Sequence, residues 1–315
     1  MRKEKWLKAR PIAPTFSHPM HTLMHWVGKA WYFVVNQMKG EHFIIPSTRE
    51  VPRFMRDAMW RFEGRDIEAR VLDIEGCYPN MPKEVIRFAM RAIVQEARQE
   101  GRGGVSVPTR SKKRKPTWKR VDGGPYKWIS FEILLDALDF ALDNAIFALV
   151  GGKLIRQAKG IPMGDWLSPA MTIGTCAWME REWMTSLHED VKARFAAARY
   201  MDDILLLSAK GLWDSERFHA DFQASECYMP PLKLEAGSDG TFLETKFEIE
   251  GDYIHFRLKN ANEGGAKKVW RYQPFDSYTS SGQKCSMLVA TLQKVEFMAG
   301  DEQQRFISAM QKPPH

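Results

Sequence analysis

The stretch ARYMDDILLLS, residues 198–208, constrains the fold more than any other. Two adjacent aspartates, Asp202 and Asp203, stand between apolar runs. A buried carboxylate without a partner is unfavourable, and a like charge beside it adds to the penalty. The flanking residues are too apolar for an ordinary solvent turn. The segment therefore predicts two strands joined at the acids, with both carboxylates held rigidly and projecting from the turn. A divalent cation with a preference for hard oxygen ligands, such as Mg²⁺, would relieve their repulsion.

Two other sites bear on the same chemistry. In VLDIEGCYPNMP, Asp73 ends a buried strand predicted over residues 69–74 and precedes a turn. Alone it is a turn or helix-start residue. Delivered from a strand beside the hairpin, it would complete a cage for two metal ions about 3.5–4 Å apart. In KGIPMGDWLSP, residues 159–169, Gly160, Pro162 and Gly164 make a turn whose backbone can approach a ligand closely, and Ser168-Pro169 starts a helix.

Periodicity fills in the rest. Helical apolar spacing runs over residues 18–38, 51–63, 81–99, 130–150 (with Ser130 as N-cap) and 168–187, and again through WDSERFHADFQASECY. GGKLIRQ is a short strand. TFLETKFEIEGDYIHFRLK, residues 241–259, is a hairpin turning at Gly251-Asp252, and the last forty residues are helical. Long helices alternating with mostly antiparallel strands predict an α+β fold. There is no internal repeat and no apolar run long enough to cross a membrane. No apolar region follows the basic N-terminus, so no signal peptide is expected. Cys77, Cys176, Cys227 and Cys285 form no C-x-x-C pair. That spacing argues against a zinc site or disulfide framework, and it predicts small core residues in a reducing, intracellular compartment.

The net charge of +7 is unevenly placed. Residues 101–120 hold eight Lys or Arg and no acid, so +7 less those eight leaves −1 for the rest. The bland reading is a solvated loop. The functional one is a phosphate-contacting arm made by Arg110, Lys112, Lys113, Arg114, Lys115, Lys119 and Arg120, with Trp118 free to stack on a base. The run also resembles a nuclear-import signal.

The order of acid strand, helix, glycine turn, helix and double-acid hairpin resembles the palm of reverse transcriptases. YMDD at 200–203 looks like their motif C, DIEGCY at 73–78 like motif A, and GIPMGDWLSP like motif B. RPIAPTFSHPM, LIRQAKGIPMG and TFLETKFEIEGDYIHFRLK are similar to stretches of Penelope-like elements and related eukaryotic retroelements, a branch near telomerase. The resemblance implies a right-hand polymerase with partial fingers at 1–66, a palm at 67–250 carrying the inserted basic loop, and a helical thumb from 251. It implies Asp73, Asp202 and Asp203 as catalytic residues. Those three acids and the Ile74 carbonyl would bind two Mg²⁺ ions, which Mn²⁺ can replace. Arg10, Tyr78, Met163 and Gly164 would hold the nucleotide. Tyr78, five positions after Asp73, would exclude a 2′-OH and so select dNTPs. Lys233 falls where motif D often has a lysine, although a surface lysine is the simpler reading, and FLET at 242–245 matches the primer grip. The implied partners are an RNA template, a DNA or RNA primer and dNTPs, with no membrane. Two departures stand out: Met163 replaces the glutamine of retroviral enzymes, and Asp165 replaces a small residue. Two rivals share the motifs. One is an RNA-directed RNA polymerase, against which Tyr78 speaks. The other is a non-catalytic nucleic-acid-binding protein, which would have no use for three converging acids.

Overall fold

A computed structural model of the chain describes residues 19–109, 114–121, 123–148, 154–213, 217–238, 240–259 and 280–300. Arg10, Arg110, Lys112 and Lys113 lie outside the described residues. Helix α1 spans His21–Val35; after a 3₁₀ turn, Thr48–Glu50, come α2 (Val51–Arg61) and strand β1 (Ile67–Ile74). The short α3 (Cys77–Asn80) and the long α4 (Lys83–Gln99) follow, then β2 (Gly104–Pro108), β3 (Tyr126–Ser130) and α5 (Phe131–Asp143). Next are β4 (Ile146–Ala148), β5 (Leu154–Arg156), α6 (Ser168–Ser186), α7 (Glu189–Lys192), β6 (Phe195–Tyr200) and β7 (Asp203–Ala209). The chain continues through α8 (Phe218–Ala224), β8 (Leu234–Ala236), β9 (Thr241–Phe242), β10 (Thr245–Glu250), β11 (Tyr253–Leu258) and α9 (Ser281–Phe297). This mixture of helices with antiparallel strand pairs is the class the sequence predicts.

Three expectations need correction. The helix predicted over 130–150 stops at Asp143, although Ser130 caps it as expected, its Oγ accepting from Ile133 N. Asn144 turns back to donate from its side chain to the Phe140 carbonyl, and Ile146–Ala148 then pairs with β5. The basic segment 101–120 is not simply a loop. It contains β2, buried along its length and paired with β3. Among the cysteines, Cys77, Cys176 and Cys227 are buried, but Cys285 is exposed on α9.

The described residues form two compact units. One comprises residues up to His42, Ile74–Ser186 and Phe222–Lys233; the other comprises Phe43–Asp73, Leu187–Asp221 and Leu234 onward. In the first, α6 is buried on almost every side and packs against α1 and α4. Helix α4 buries Ile86, Ala89, Met90, Ile93 and Val94, a stripe at helical spacing, and turns its charges outward. Glu180, fully buried on α6, accepts a 2.6 Å hydrogen bond from the Tyr228 hydroxyl.

The second unit is built on the sheet β6-β7-β1-β8. Strand β7 is central and buried on both faces, which is why it is a continuous apolar run rather than an alternating one. One face of this sheet sets Ile67, Ala196, Ala198, Leu205 and Leu207 against Val51, Met55, Ala58 and Phe62 of α2 and its C-terminal end. Phe242, Phe247, Ile254 and Phe256 of the β9–β10–β11 sheet complete that core. Each such large side chain contributes about 1.5–3 kcal/mol on burial. This rigid face positions the acids.

Candidate active site

The hairpin β6–β7 closes in two residues, because Tyr200 pairs with Asp203 and leaves only Met201 and Asp202 in the turn. On the other side of β7, Asp203 stands directly opposite Asp73 of β1. Residues directly opposite in an antiparallel pair project to one face. Asp73 and Asp203 therefore share the face that carries Val71 and Leu205, at the end of an apolar row, with Asp202 one residue away in the turn. The register brings together, from positions 130 residues apart, two of the acids singled out in the sequence.

The turn is strained. Met201 has φ 59°, a left-handed conformation in which glycine is the default. Such a conformation costs about 1–3 kcal/mol unless its surroundings enforce it. Arg199 supplies part of that enforcement. Its side chain is only 1% exposed, and Nη1 donates to the Met201 carbonyl at 2.9 Å. The Arg199 backbone is itself clamped, since Ile45 N donates to its carbonyl at 3.0 Å and its own N–H donates to the Phe43 carbonyl. The FLET segment uses the same device. Phe242 pairs with Thr245 across a two-residue turn whose first residue, Leu243, has φ 53°.

Burial raises the Asp203 carboxyl above the usual aspartate range, and the neighbouring charge of Asp202 pushes it the same way. A cation here would offset both effects, and the donors are the carboxylate oxygens that Mg²⁺ prefers. The donor chemistry fits a hard divalent ion. The cage is not closed, however: among the described residues no three His, Cys, Asp or Glu side chains stand close enough together to hold a metal ion. Ile74, the remaining expected metal contact, is buried and follows Asp73 at the end of β1.

The motifs in the first unit meet through their backbones. Tyr78 is half-buried in α3, and its carbonyl accepts from Ile161 N at 2.9 Å. Gly160, at φ +66°, lies so close that a Cβ there would sit 2.4 Å from the carbonyl oxygens of Tyr78 and Pro79. The glycine turn thus rests directly on the turn that carries Tyr78. Met163 follows half-buried and Gly164 exposed, the latter at φ +102°. Asp165, unusual for its position, accepts from Trp166 N through Oδ1 at 2.8 Å and so shapes the approach to α6.

Lys233 is exposed, and its carbonyl accepts from Glu75 N at 2.8 Å, which fits the surface-lysine reading. Arg114, Lys115, Lys119 and Arg120 are exposed as expected. Trp118 is not free to stack on a base: it packs edge-on to Phe33 at 4.9 Å and to Phe131 at 6.2 Å. Arg199 escaped the sequence reading. The available signal was a cation at the end of the small apolar run Phe195–Ala198, in a strand otherwise bound for the core.

No family model matches the chain, and no curated protein does. Solved structures do. Telomerase from Candida albicans in complex with the TWJ fragment of telomeric RNA superposes with a TM-score of 0.54 at 14% identity, over 75% of this chain and 39% of that one. Telomerase from Candida tropicalis with the same type of fragment gives 0.54 at 14% identity, over 93% and 43%. The apo form of the Candida tropicalis protein gives 0.51 at 15%, over 70% and 40%. At such identities the likeness shows the fold alone, one shared with these telomerase chains. The chain spans about two fifths of the length of these neighbours.

Proposed function

We propose that the chain is an RNA-directed DNA polymerase of a retroelement, of the Penelope-like branch that its motifs resemble. The observation that carries this reading is the register that sets Asp73 opposite Asp203, beside Asp202 in a two-residue turn. In this reading residues 67–250 act as the palm, with partial fingers before it and a thumb after it. Asp73, Asp202, Asp203 and the Ile74 carbonyl would hold two Mg²⁺ or Mn²⁺ ions. When bound, these ions activate the primer 3′-OH and steady the leaving pyrophosphate. The chain's own part is to present the acids on a strand pair too rigid to splay apart, and to place Asp203 where solvent cannot fully neutralise it. Tyr78 lies beneath the incoming sugar and excludes a 2′-OH. Met163 and Gly164 shape the nucleotide pocket, and Arg10 grips the triphosphate. An RNA template fits this reading, as two of the telomerase neighbours were solved with a fragment of telomeric RNA.

One observation favours the non-catalytic rival: the described residues offer no ready three-ligand cluster. Primer extension by the purified chain decides between them, with dNTPs or rNTPs on RNA and DNA templates. The expected outcome is Mg²⁺-dependent extension with dNTPs on RNA. Asp202→Asn and Asp73→Asn should each lower extension by more than about a hundredfold, several kcal/mol of transition-state stabilisation, with primer–template affinity kept. Extension by either variant above about a hundredth of wild type counts against the metal role. Equal use of rNTPs would transfer the assignment to an RNA polymerase.

A further inference from the structure

Helix α2 commits one face to the core and turns an unusual one outward. Val51, Met55 and Ala58 are buried in the core of the second unit, and Phe62 continues that stripe past the C-terminal end. Arg53, Arg56 and Trp60 follow one another at three and four residues, so they fall within about 60° of each other on the side opposite the buried stripe. All three are exposed, and Trp60 is 84% exposed. Arg49, four residues before Arg53, is exposed in the 3₁₀ turn that runs straight into the helix, and it prolongs the same face.

An indole left in water keeps a large apolar ring hydrated, which is unfavourable without a partner for it. The neighbours of Trp60 on this face are charged: Arg53 and Arg56, with Asp57 and Glu63 flanking. One aromatic ring among charges is not the contiguous apolar patch that a protein partner or a lipid surface requires. A second copy laid on the same face would set arginines against arginines. A polyanion with flat apolar rings matches both features. The arginines can meet it. Arg53 touches Asp57 at 3.6 Å, but the two side chains are 75% and 71% exposed, a contact that solvent weakens and a phosphate can displace. Among the described residues neither Arg49 nor Arg56 has a carboxylate partner. Arg56 lies 6.0 Å from the Phe256 ring centroid, a contact that steadies the guanidinium and leaves its N–H groups available. It stands about 6 Å along the helix axis from Trp60, and its planar fork fits a phosphate bidentately.

We infer that the outer face of α2 binds a single-stranded nucleic-acid segment, with one base stacked on Trp60 and the adjoining phosphates held by Arg56, Arg53 and Arg49. Every base has a π-face, so the contact is tolerant of sequence. A duplex does not fit, because its bases are stacked on one another and cannot lie on the indole. The site goes beyond the polymerase reading and does not rest on it: it holds a strand and takes no part in nucleotidyl transfer.

The test is fluorescence anisotropy of three short labelled DNAs titrated with the full chain over a range of salt: a single strand, its abasic counterpart and a duplex. Neither nucleotides nor divalent ions are present, and none of the substituted residues belongs to the proposed catalytic site. Failure of primer extension would therefore leave this result standing. Trp60→Ala should lower affinity for the single strand about tenfold with the salt slope unchanged, and Trp60→Phe should recover most of the loss. The abasic strand and the duplex should bind wild type and Trp60→Ala equally. Arg49→Gln with Arg56→Gln should reduce the slope by about 1.4, at about 0.7 per phosphate contact on a single strand. Trp60 contributes nothing to the core, so the urea midpoint of its variants should not move. The inference is overturned if Trp60→Ala binds the single strand as tightly as wild type, or loses as much affinity for the abasic strand. A change in oligomeric state on size exclusion, with strand affinity unmoved, would give the face to a second copy and overturn it equally.

Discussion

Burial and the charge of Asp202 together hold the Asp203 carboxyl above the usual aspartate range. A carboxyl whose folded value exceeds its unfolded one binds its proton more tightly in the folded chain. Its favourable contribution is complete below about pH 4 and is lost as pH rises through the folded value. Asp203→Asn in metal-free buffer should therefore melt above wild type at neutral pH, and the gap should close towards pH 4. Added Mg²⁺ should raise the wild-type Tm and leave that of the variant nearly unmoved. Identical melting of the two proteins across the range would mean that the carboxyl is not desolvated. Arg199 supports the backbone of the same turn. Arg199→Met leaves the Met201 carbonyl without that donor beneath a turn already at positive φ. It should lower unfolding stability by at least about 1–3 kcal/mol, read from the urea midpoint. An unmoved midpoint would mean the arginine does not support the turn. The acids were legible in the sequence because charge inside an apolar run has few physical explanations. Arg199 was not, because an arginine next to a strand end looks like a solvent-facing residue until the 43–45 segment is seen to cover that edge.

Elements were legible where periodicity alone decides them. Helix α4, strand β1 and the hairpins β6–β7 and β10–β11 stand where apolar spacing and turn residues put them. Three-dimensional competition decided the others. Residues 146–148 carry helical apolar spacing, yet pairing with β5 takes them. Val105 and Val107 sit among cations, yet a partner strand distant in sequence buries them. The contact of the glycine turn with the Tyr78 turn was also out of reach, since a glycine-rich loop does not say what it approaches. That contact is testable. Gly160→Ala introduces a Cβ 2.4 Å from two carbonyl oxygens at a backbone φ of +66°. The conformational penalty alone is about 1–3 kcal/mol, and the clash adds to it. The urea midpoint should fall accordingly. Under the proposed function, in which Tyr78 and Met163 hold the nucleotide, its KM should rise, because both flank this contact. A variant as stable as wild type would show that the two turns are not in such close approach.

At the scale of the whole molecule, the chain passes between the two compact units at 42/43, 73/74, 186/187, 221/222 and 233/234. Neither unit is a contiguous stretch of sequence. Strand β1 makes the consequence concrete. It pairs with β7 on one edge and β8 on the other, and both partners follow it by more than a hundred residues. A fragment of residues 1–186 would leave β1 bare on both edges, and Ile67 without Leu205 and Leu207 from its core. Unpaired backbone and exposed apolar rows favour aggregation over a folded subdomain. The fragment should therefore be insoluble, or show no cooperative melting transition by circular dichroism. Coexpression with residues 187–315 should recover soluble protein, since the missing strands then become available in trans. Independent cooperative unfolding of fragment 1–186 would mean that the sheet bearing the acids is not needed to complete the fold. Asp73 would then be held without Asp203, and the register on which the catalytic reading rests would lose its structural necessity.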